Sequence, residues 1–495
     1  MGYDREWRLV RQTLGEFIEK EIRMSKEVLL VGSYNRINKF LDTEAQMYLK
    51  KVFSAPSLGL HRIASYLRPE HNVVVYDPNM GGDPYKYLKS KAKAFDIIGF
   101  SLTHAILEYD LSLMWCVRKA NKGCVIVAGG EEATFDASLL EEHSPANIIV
   151  MGEGEKAMAA ICEGAVTEGR VQMPLGNEFR DATFAVDFAS IPYETYWQLL
   201  EERNKNFEET RTVRLFTSNL CPWGCLFCSA TNFLSYAYGK QPKHISLGAE
   251  DLMILVKRIV EAHPDARTIF FQDDNFIMGE AGEERVFKLC AGILESREKG
   301  EIPDTIRFMC ETRVDTVTKP ILESLASAGF RLVFYGVESF SKSVLDEFKK
   351  GVLVEQIEQA LEWTYETGMV PYITIILTSP NCTIEDVRQT VKKCREHSRR
   401  GALLGVNLYT IPLPGSELVS MTEDCIEYRR VKIPGTSISF DKAEKIIPRD
   451  EKVRRMLKLT SACLKDLNLD KIGKFISHDK SILDLDAVSF ALRKV

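Results

Sequence analysis

Long apolar runs are missing from this chain. None approaches the ~20 residues that a membrane-spanning helix needs, and the opening MGYDREWRLV is charged from the start, without the apolar core of a secretion signal. Glu6 stands where a myristoylation motif needs Ser or Thr. A basic excess is missing too: 64 Lys and Arg face 70 Asp and Glu, a formal charge of −6, which leaves no wide positive footprint for nucleic acid. There is no Pro-rich tail and no peptide-recognition module. Of twelve cysteines, nine are scattered singly. In the cytoplasmic setting that these absences predict, such thiols stay reduced and read as small core residues. What remains is an ordinary globular composition, 45% hydrophobic and 27% charged, with 495 residues enough for about three domains.

The other three cysteines are close together. Residues 212–230 read TVRLFTSNLCPWGCLFCSA, an apolar, β-branched strand followed at once by Cys221, Cys225 and Cys228 in a CxxxCxxC pattern. Three thiolates at that spacing can share one metal centre. Tetrahedral zinc needs a fourth protein ligand, and the next histidine and cysteine, His244 and Cys290, are not close. A [4Fe-4S] cluster suits three thiolates better, because it leaves one iron open to a non-protein ligand. Three unrelated buried cysteines are the plain alternative. The run Cys221-Pro-Trp-Gly-Cys225-Leu-Phe227-Cys228, with an aromatic just before its third cysteine, resembles the signature of the radical S-adenosylmethionine superfamily. The resemblance implies that S-adenosylmethionine chelates the open iron through its amino and carboxylate groups, with Phe227 beside the cofactor.

The N-terminal part, after a charged helical lead-in, alternates short apolar runs with helical spacing. Runs at 28–32 (VLLVG), 73–77 (VVVYD), 96–101 (DIIGFS), 124–130 (CVIVAGG) and 148–155 (IIVMGEGE) read as strands, and 58–67 and 107–119 as helices. Such alternation predicts an open, doubly wound α/β sheet with ligands at the carboxyl ends of its strands. Those ends carry Gly32-Ser33, Ser101-Leu-Thr103 and Gly129-Gly130-Glu131. Small residues there either let a flat ligand approach the backbone or simply make tight turns. The series PSLGLHRIASYL, VVVYDPN, DIIGFSLTH, VIVAGGEEAT and VMGEGE resembles the cobalamin-binding domain that precedes one class of radical S-adenosylmethionine enzymes. The resemblance implies that Ser101, Thr103, Gly129 and Gly130 lie along the nucleotide tail. No Asp-x-His-x-x-Gly follows the first strand, so no histidine is expected below cobalt. The segment 34–38 (YNRIN) takes that face instead, with Arg36 nearest the metal.

Periodicity fades from 167 to about 210, and strand–helix alternation then resumes. Strands at 213–218, 268–272, 306–312, 332–337, 372–377 and 405–411 alternate with helices at 248–262, 282–297, 318–328, 341–349 with 353–367, and 384–398. Six successive units read as an incomplete barrel. The expected whole is α/β: a doubly wound, Rossmann-like cobalamin-binding domain with its lead-in (1–165), a linker (166–210), a partial (β/α)6 TIM-like barrel (211–415) and a small helical C-terminal region (416–495). The barrel's strand ends are polar. Gln272-Asp273-Asp274 falls where the superfamily binds the amino group of S-adenosylmethionine, and acidic groups fit an ammonium. Arg313 can pair with the methionine carboxylate or form a structural salt bridge, while Gly336-Val-Glu338-Ser339 resembles a position near ribose and methionine. Leu377-Thr-Ser-Pro-Asn-Cys382 departs from the usual Leu-x-x-Pro-Gly-Glu turn.

The paired resemblance implies radical methylation. A reduced cluster cleaves S-adenosylmethionine, the resulting radical takes a hydrogen atom from an unactivated carbon, and methylcobalamin donates its methyl to that carbon or, in some relatives, to phosphorus. The expected partners are a small metabolite or natural-product precursor and an electron donor such as flavodoxin or ferredoxin, with neither nucleic acid nor membrane. Two rivals stay open: the same architecture doing ring formation, rearrangement or another bond cleavage without net methylation, and a cobalamin-binding sensor with a relic barrel.

Overall fold

The computed structural model describes residues 25–33, 56–201, 211–466 and 477–495. The charged lead-in and the 34–38 segment with Arg36 lie outside the described residues.

Six parallel strands form the first sheet: β1 (Glu27–Val31), β2 (Asn72–Tyr76), β3 (Ile97–Leu102), β4 (Val125–Gly130), β5 (Ile148–Val150) and β6 (Gly169–Val171), in the order β2-β1-β3-β4-β5-β6. The run VLLV explains β1. Leu29 and Val31 enter the apolar cluster on one face, Val28 and Leu30 that on the other, and all four are fully buried. Because the chain leaves β1 for β2 on one side and returns as β3 on the other, the crevice between the ends of β1 and β3 is the sheet's switch point. β6 lies inside the segment expected as a linker. So do helices Phe179–Phe184 and Tyr193–Glu201, whose Phe179, Tyr193 and Trp197 are buried, so this stretch is packed structure.

The second sheet is also parallel, with β7 (Thr212–Leu215), β8 (Thr268–Phe271), β9 (Arg307–Thr312), β10 (Phe330–Glu338), β11 (Val370–Ile376) and β12 (Leu403–Asn407) in sequential order. β7 and β12 do not pair, so the barrel is open. Helix Ser477–Leu492 lies against β12 and buries Leu485, Val488 and Ala491 in the barrel's core cluster.

The C-terminal region is more than helical. Besides helices Glu451–Asp466 and Ser477–Leu492 it carries an antiparallel hairpin, β13 (Ile426–Lys432) with β14 (Ser439–Ile446). The hairpin reaches back to the first domain. Val431, Ile433 and Phe440 join that domain's core, while buried Lys442 donates to Glu108 Oε2 (2.7 Å) and Ala105 O (2.9 Å). Helix Phe233–Tyr238, just past the three cysteines, makes a second junction. Phe233 and Tyr236 meet the ring of Phe135 edge-on, and Tyr238 Oη accepts from the Glu153 N–H at 3.0 Å.

Candidate active site at the domain junction

The cysteine loop leaves β7 and is held from below by Asp273 at the end of β8. That carboxylate accepts the N–H groups of Thr217 (2.5 Å) and Ser218 (2.9 Å) and the Thr217 hydroxyl, with Arg285 behind it at 4.0 Å. Leu226 N–H donates to Phe348 O (3.0 Å), and Phe227 packs on the Phe348 ring at 5.0 Å with Lys350 Nζ 5.8 Å from its face. Phe227 and Asp273 therefore shape the loop. Cys221 and Cys225 are buried and Cys228 half-buried, while Trp223 between them is exposed. Burial pushes the Cys221 thiol up to about 11 and raises Cys228 as well. Thiols so placed ionise when a metal supplies the charge. Among the described residues no three His, Cys, Asp or Glu side chains close on one point as a single ion requires. A cluster asks for something different, one thiolate on each of three irons.

Arg313, just past β9, is fixed by four neighbours. Nε and Nη2 clamp Asp315 (2.8 and 2.9 Å), Nη2 also donates to Lys350 O (2.6 Å), the guanidinium lies 4.3 Å from the Trp223 ring centre, and Nη1 donates to Cys225 Sγ at 3.4 Å. Burial alone would lower its proton affinity, but Asp315 more than offsets this and keeps it cationic. One Nη1 proton is left for a cofactor carboxylate.

The rest of the barrel mouth is acidic. Asp274 opens onto the cavity and has no hydrogen-bond partner among the described residues; surrounding protein and the charge of Asp273 push it up to about 6. Glu311, in β9, is pushed up to about 7 by burial and then by Asp274 and Glu338. Gln272 Oε1 and Asn275 Nδ2 are buried without partners. The orphaned Gln272 acceptor and a protonation-prone carboxyl are what an ammonium group would complete, while the Asn275 Nδ2 donor, its Oδ1 spent on Thr312 and Arg313, would need an acceptor. Glu338 sits at φ 67°, uncommon outside glycine, with Lys350 Nζ 3.2 Å from its Oε1. A Cβ at 336 would lie 2.8 Å from Glu338 Oε1 and 3.0 Å from Lys350 Nζ, so a larger residue there would push this pair aside. Lys350 was not foreseeable: nothing in the sequence places a loop lysine beside a strand-end glutamate twelve residues earlier.

Two cavities meet at the junction. In the first domain, one of about 220 Å³ is lined by Gly99, Ser101, Gly129, Gly130, Gly152 and Gly154 among others. Thr103 is elsewhere, at the switch point, its hydroxyl 2.9 Å from Ser33 Oγ, which in turn donates to Asp110 (2.6 Å). The second cavity, about 270 Å³, runs from this domain to Arg214, Asp273 and Asp274 of the barrel. Gly59, Arg62, Glu153 and Phe233 line both. The glycine-lined slot fits a flat, elongated group pressed against backbone.

Comparison with known proteins follows the same division. Residues 215–394 match the radical SAM superfamily model and residues 50–162 the B12 binding domain model. The chain is 25% identical over 378 residues to an uncharacterized methyltransferase, PH0819, of Pyrococcus horikoshii, covering 74% of this chain and 78% of that one. It is 26% identical over 386 residues to the hopanoid C-3 methylase of Methylococcus capsulatus, covering 75% and 69%. Among solved structures, the cobalamin-dependent S-adenosylmethionine radical enzyme OxsB, with aqua-cobalamin and S-adenosylmethionine bound, aligns over 90% of this chain and 67% of its own at a TM-score of 0.65 and 17% identity. The radical S-adenosylmethionine methyltransferase TsrM from Kitasatospora setae aligns over 82% and 79%, with a TM-score of 0.60 and 16% identity.

Proposed function

This chain belongs to the cobalamin-binding radical S-adenosylmethionine enzymes, and from that premise we propose that it methylates an unactivated carbon, or phosphorus, of a small molecule held in the junction cavity. One observation carries the reading: the slot suited to cobalamin and the space reaching the acidic barrel mouth share four lining residues, so both cofactors serve one chamber. When bound, the cluster with S-adenosylmethionine supplies a radical that abstracts hydrogen, and cobalamin supplies a transferable methyl group.

The chain's own residues hold and orient. Cys221, Cys225 and Cys228 bind the cluster. Gln272 and Asp274 receive the ammonium of S-adenosylmethionine, the free Arg313 proton its carboxylate, and Glu338, fixed by Lys350, its ribose side. Ser101, Gly129 and Gly130 would line the cobalamin tail, and Thr103 faces the switch point. A cytoplasmic reductant of the flavodoxin or ferredoxin kind supplies electrons. The relatives' names, a methylase among them, favour methyl transfer over rearrangement.

Stoichiometry tests this. Each methylated product should appear with one 5′-deoxyadenosine and one S-adenosylhomocysteine, and deuterium at the attacked carbon should enter 5′-deoxyadenosine. Product accompanied by 5′-deoxyadenosine but no S-adenosylhomocysteine would mean ring formation or rearrangement; a protein that never cleaves S-adenosylmethionine after iron and sulfide reconstitution would be a sensor.

A further inference from the structure

Arg214 stands in β7, at the open edge of the barrel sheet, and lines the 270 Å³ junction cavity. Its backbone N–H donates to Tyr193 Oη (3.1 Å), but among the described residues its guanidinium has no hydrogen bond and no ion pair. The neighbouring arginines differ. Arg62 lines the same cavity and is paired with Glu155, Arg285 donates to Leu247 O and Phe276 O, and Arg313 is clamped by Asp315. The nearby acids are not hydrogen-bond or ion-pair partners either, and Glu311 of β9 acts on Arg214 only through its charge. Asp273 is spent on Thr217 and Ser218, Glu153 accepts from Leu175 N–H, and Asp274 faces the space expected to hold an ammonium. A guanidinium stays ionised and presents five donors, so leaving it half-buried without an acceptor is costly unless something else arrives to accept. Its fork matches a carboxylate or a phosphate.

Resting on the proposed transfer chamber, we infer that Arg214 anchors the substrate, and that the substrate carries an anionic group, carboxylate or phosphate, which this guanidinium binds in the junction cavity. The carboxylate of S-adenosylmethionine and the phosphodiester of cobalamin are the other anions within the enzyme, and the test separates them.

Thermal unfolding of the reconstituted, cobalamin-loaded protein is followed with added sodium phosphate or acetate against sodium chloride at matched ionic strength. Phosphate or acetate should raise the wild-type melting temperature saturably above the chloride control. Arg214→Met should lose that rise, and Arg214→Lys should keep part of it. Without added anion, Arg214→Met should melt higher than wild type, because an unpaired charge is removed while the apolar stem is kept. A lower melting temperature for Arg214→Met would show that the fold itself holds the guanidinium and overturns the inference, as does an anion response equal in wild type and variant. Retained affinity of Arg214→Met for both cofactors supports the substrate assignment. Loss of bound cobalamin would assign Arg214 to the phosphodiester, and weakened S-adenosylmethionine binding to the methionine carboxylate; either overturns it. A wild type that forms no 5′-deoxyadenosine sinks the proposed function yet leaves the anion measurements readable.

Discussion

Burial raises the Cys221 and Cys228 thiols, so the loop's chemistry depends on charge brought to it. A bound cluster would bring such charge, and Arg313 adds a cation beside Cys225. Cys225→Ala removes one of the three proposed ligands and should lose most cluster iron together with reductive cleavage of S-adenosylmethionine, read as iron content and 5′-deoxyadenosine; undiminished cleavage would sink the cluster assignment. Arg313 acts differently, through its hydrogen bond to Cys225 Sγ. A cationic donor on a cluster sulfur favours the more negative, reduced state. Arg313→Gln should therefore keep iron but shift the cluster's reduction potential downward, on the order of the ~60 mV that corresponds to a tenfold change for one electron. A redox titration followed by paramagnetic resonance measures this directly. An unmoved potential would leave Arg313 as a salt bridge that only shapes the loop.

At the scale of elements, strand ends decide what the two sheets can bind. Gly130 closes β4 at φ 93°, and a Cβ there would lie 2.9 Å from Leu102 O and 3.2 Å from Ser101 Oγ. Gly130→Ala should destabilise the protein by about 1–3 kcal/mol in denaturant unfolding and lower the cobalamin bound per chain. Normal loading would move the tail away from this slot. The strands that carry these ends were legible because burial on both faces of a parallel sheet demands continuous apolar runs, as in VLLV and CVIVAGG. β6 escaped notice because it has only three residues, GRV, of which only Val171 is buried. The β13–β14 hairpin escaped for another reason: IEYRRVK buries only Val431 fully, and its inward residues meet a domain more than 300 positions earlier. Contacts of that kind leave no local periodicity. The same holds for Lys350 with Glu338 and for Asp315 clamping Arg313, so the candidate residues were visible while their partners were not.

For the whole molecule, the barrel mouth gathers carboxyls of which Asp274 has no ion-pair partner among the described residues, and that arrangement sets how stability follows pH. Asp274 is pushed to about 6 from an ordinary 3.8, and Glu311 to about 7 from 4.5. Both are raised in the folded state, so the native protein binds protons that the unfolded chain has already released. Their contribution to stability is fully present below the ordinary values and is lost as pH rises through about 6 and about 7. His61 works the other way. Burial and then Arg68 lower it to about 4, so in falling pH it destabilises the fold. The informative quantity is therefore the difference between wild type and Asp274→Asn, not the raw slope. Melting temperatures of ligand-free protein between about pH 5 and pH 8 should fall less steeply with rising pH in Asp274→Asn than in wild type. On the proposed assignment S-adenosylmethionine would add a cation opposite this carboxyl, so its stabilising effect on wild type should grow with pH across the same window more than in the variant. Equal ligand effects at every pH in the two proteins would show that the ammonium is received elsewhere in the barrel mouth.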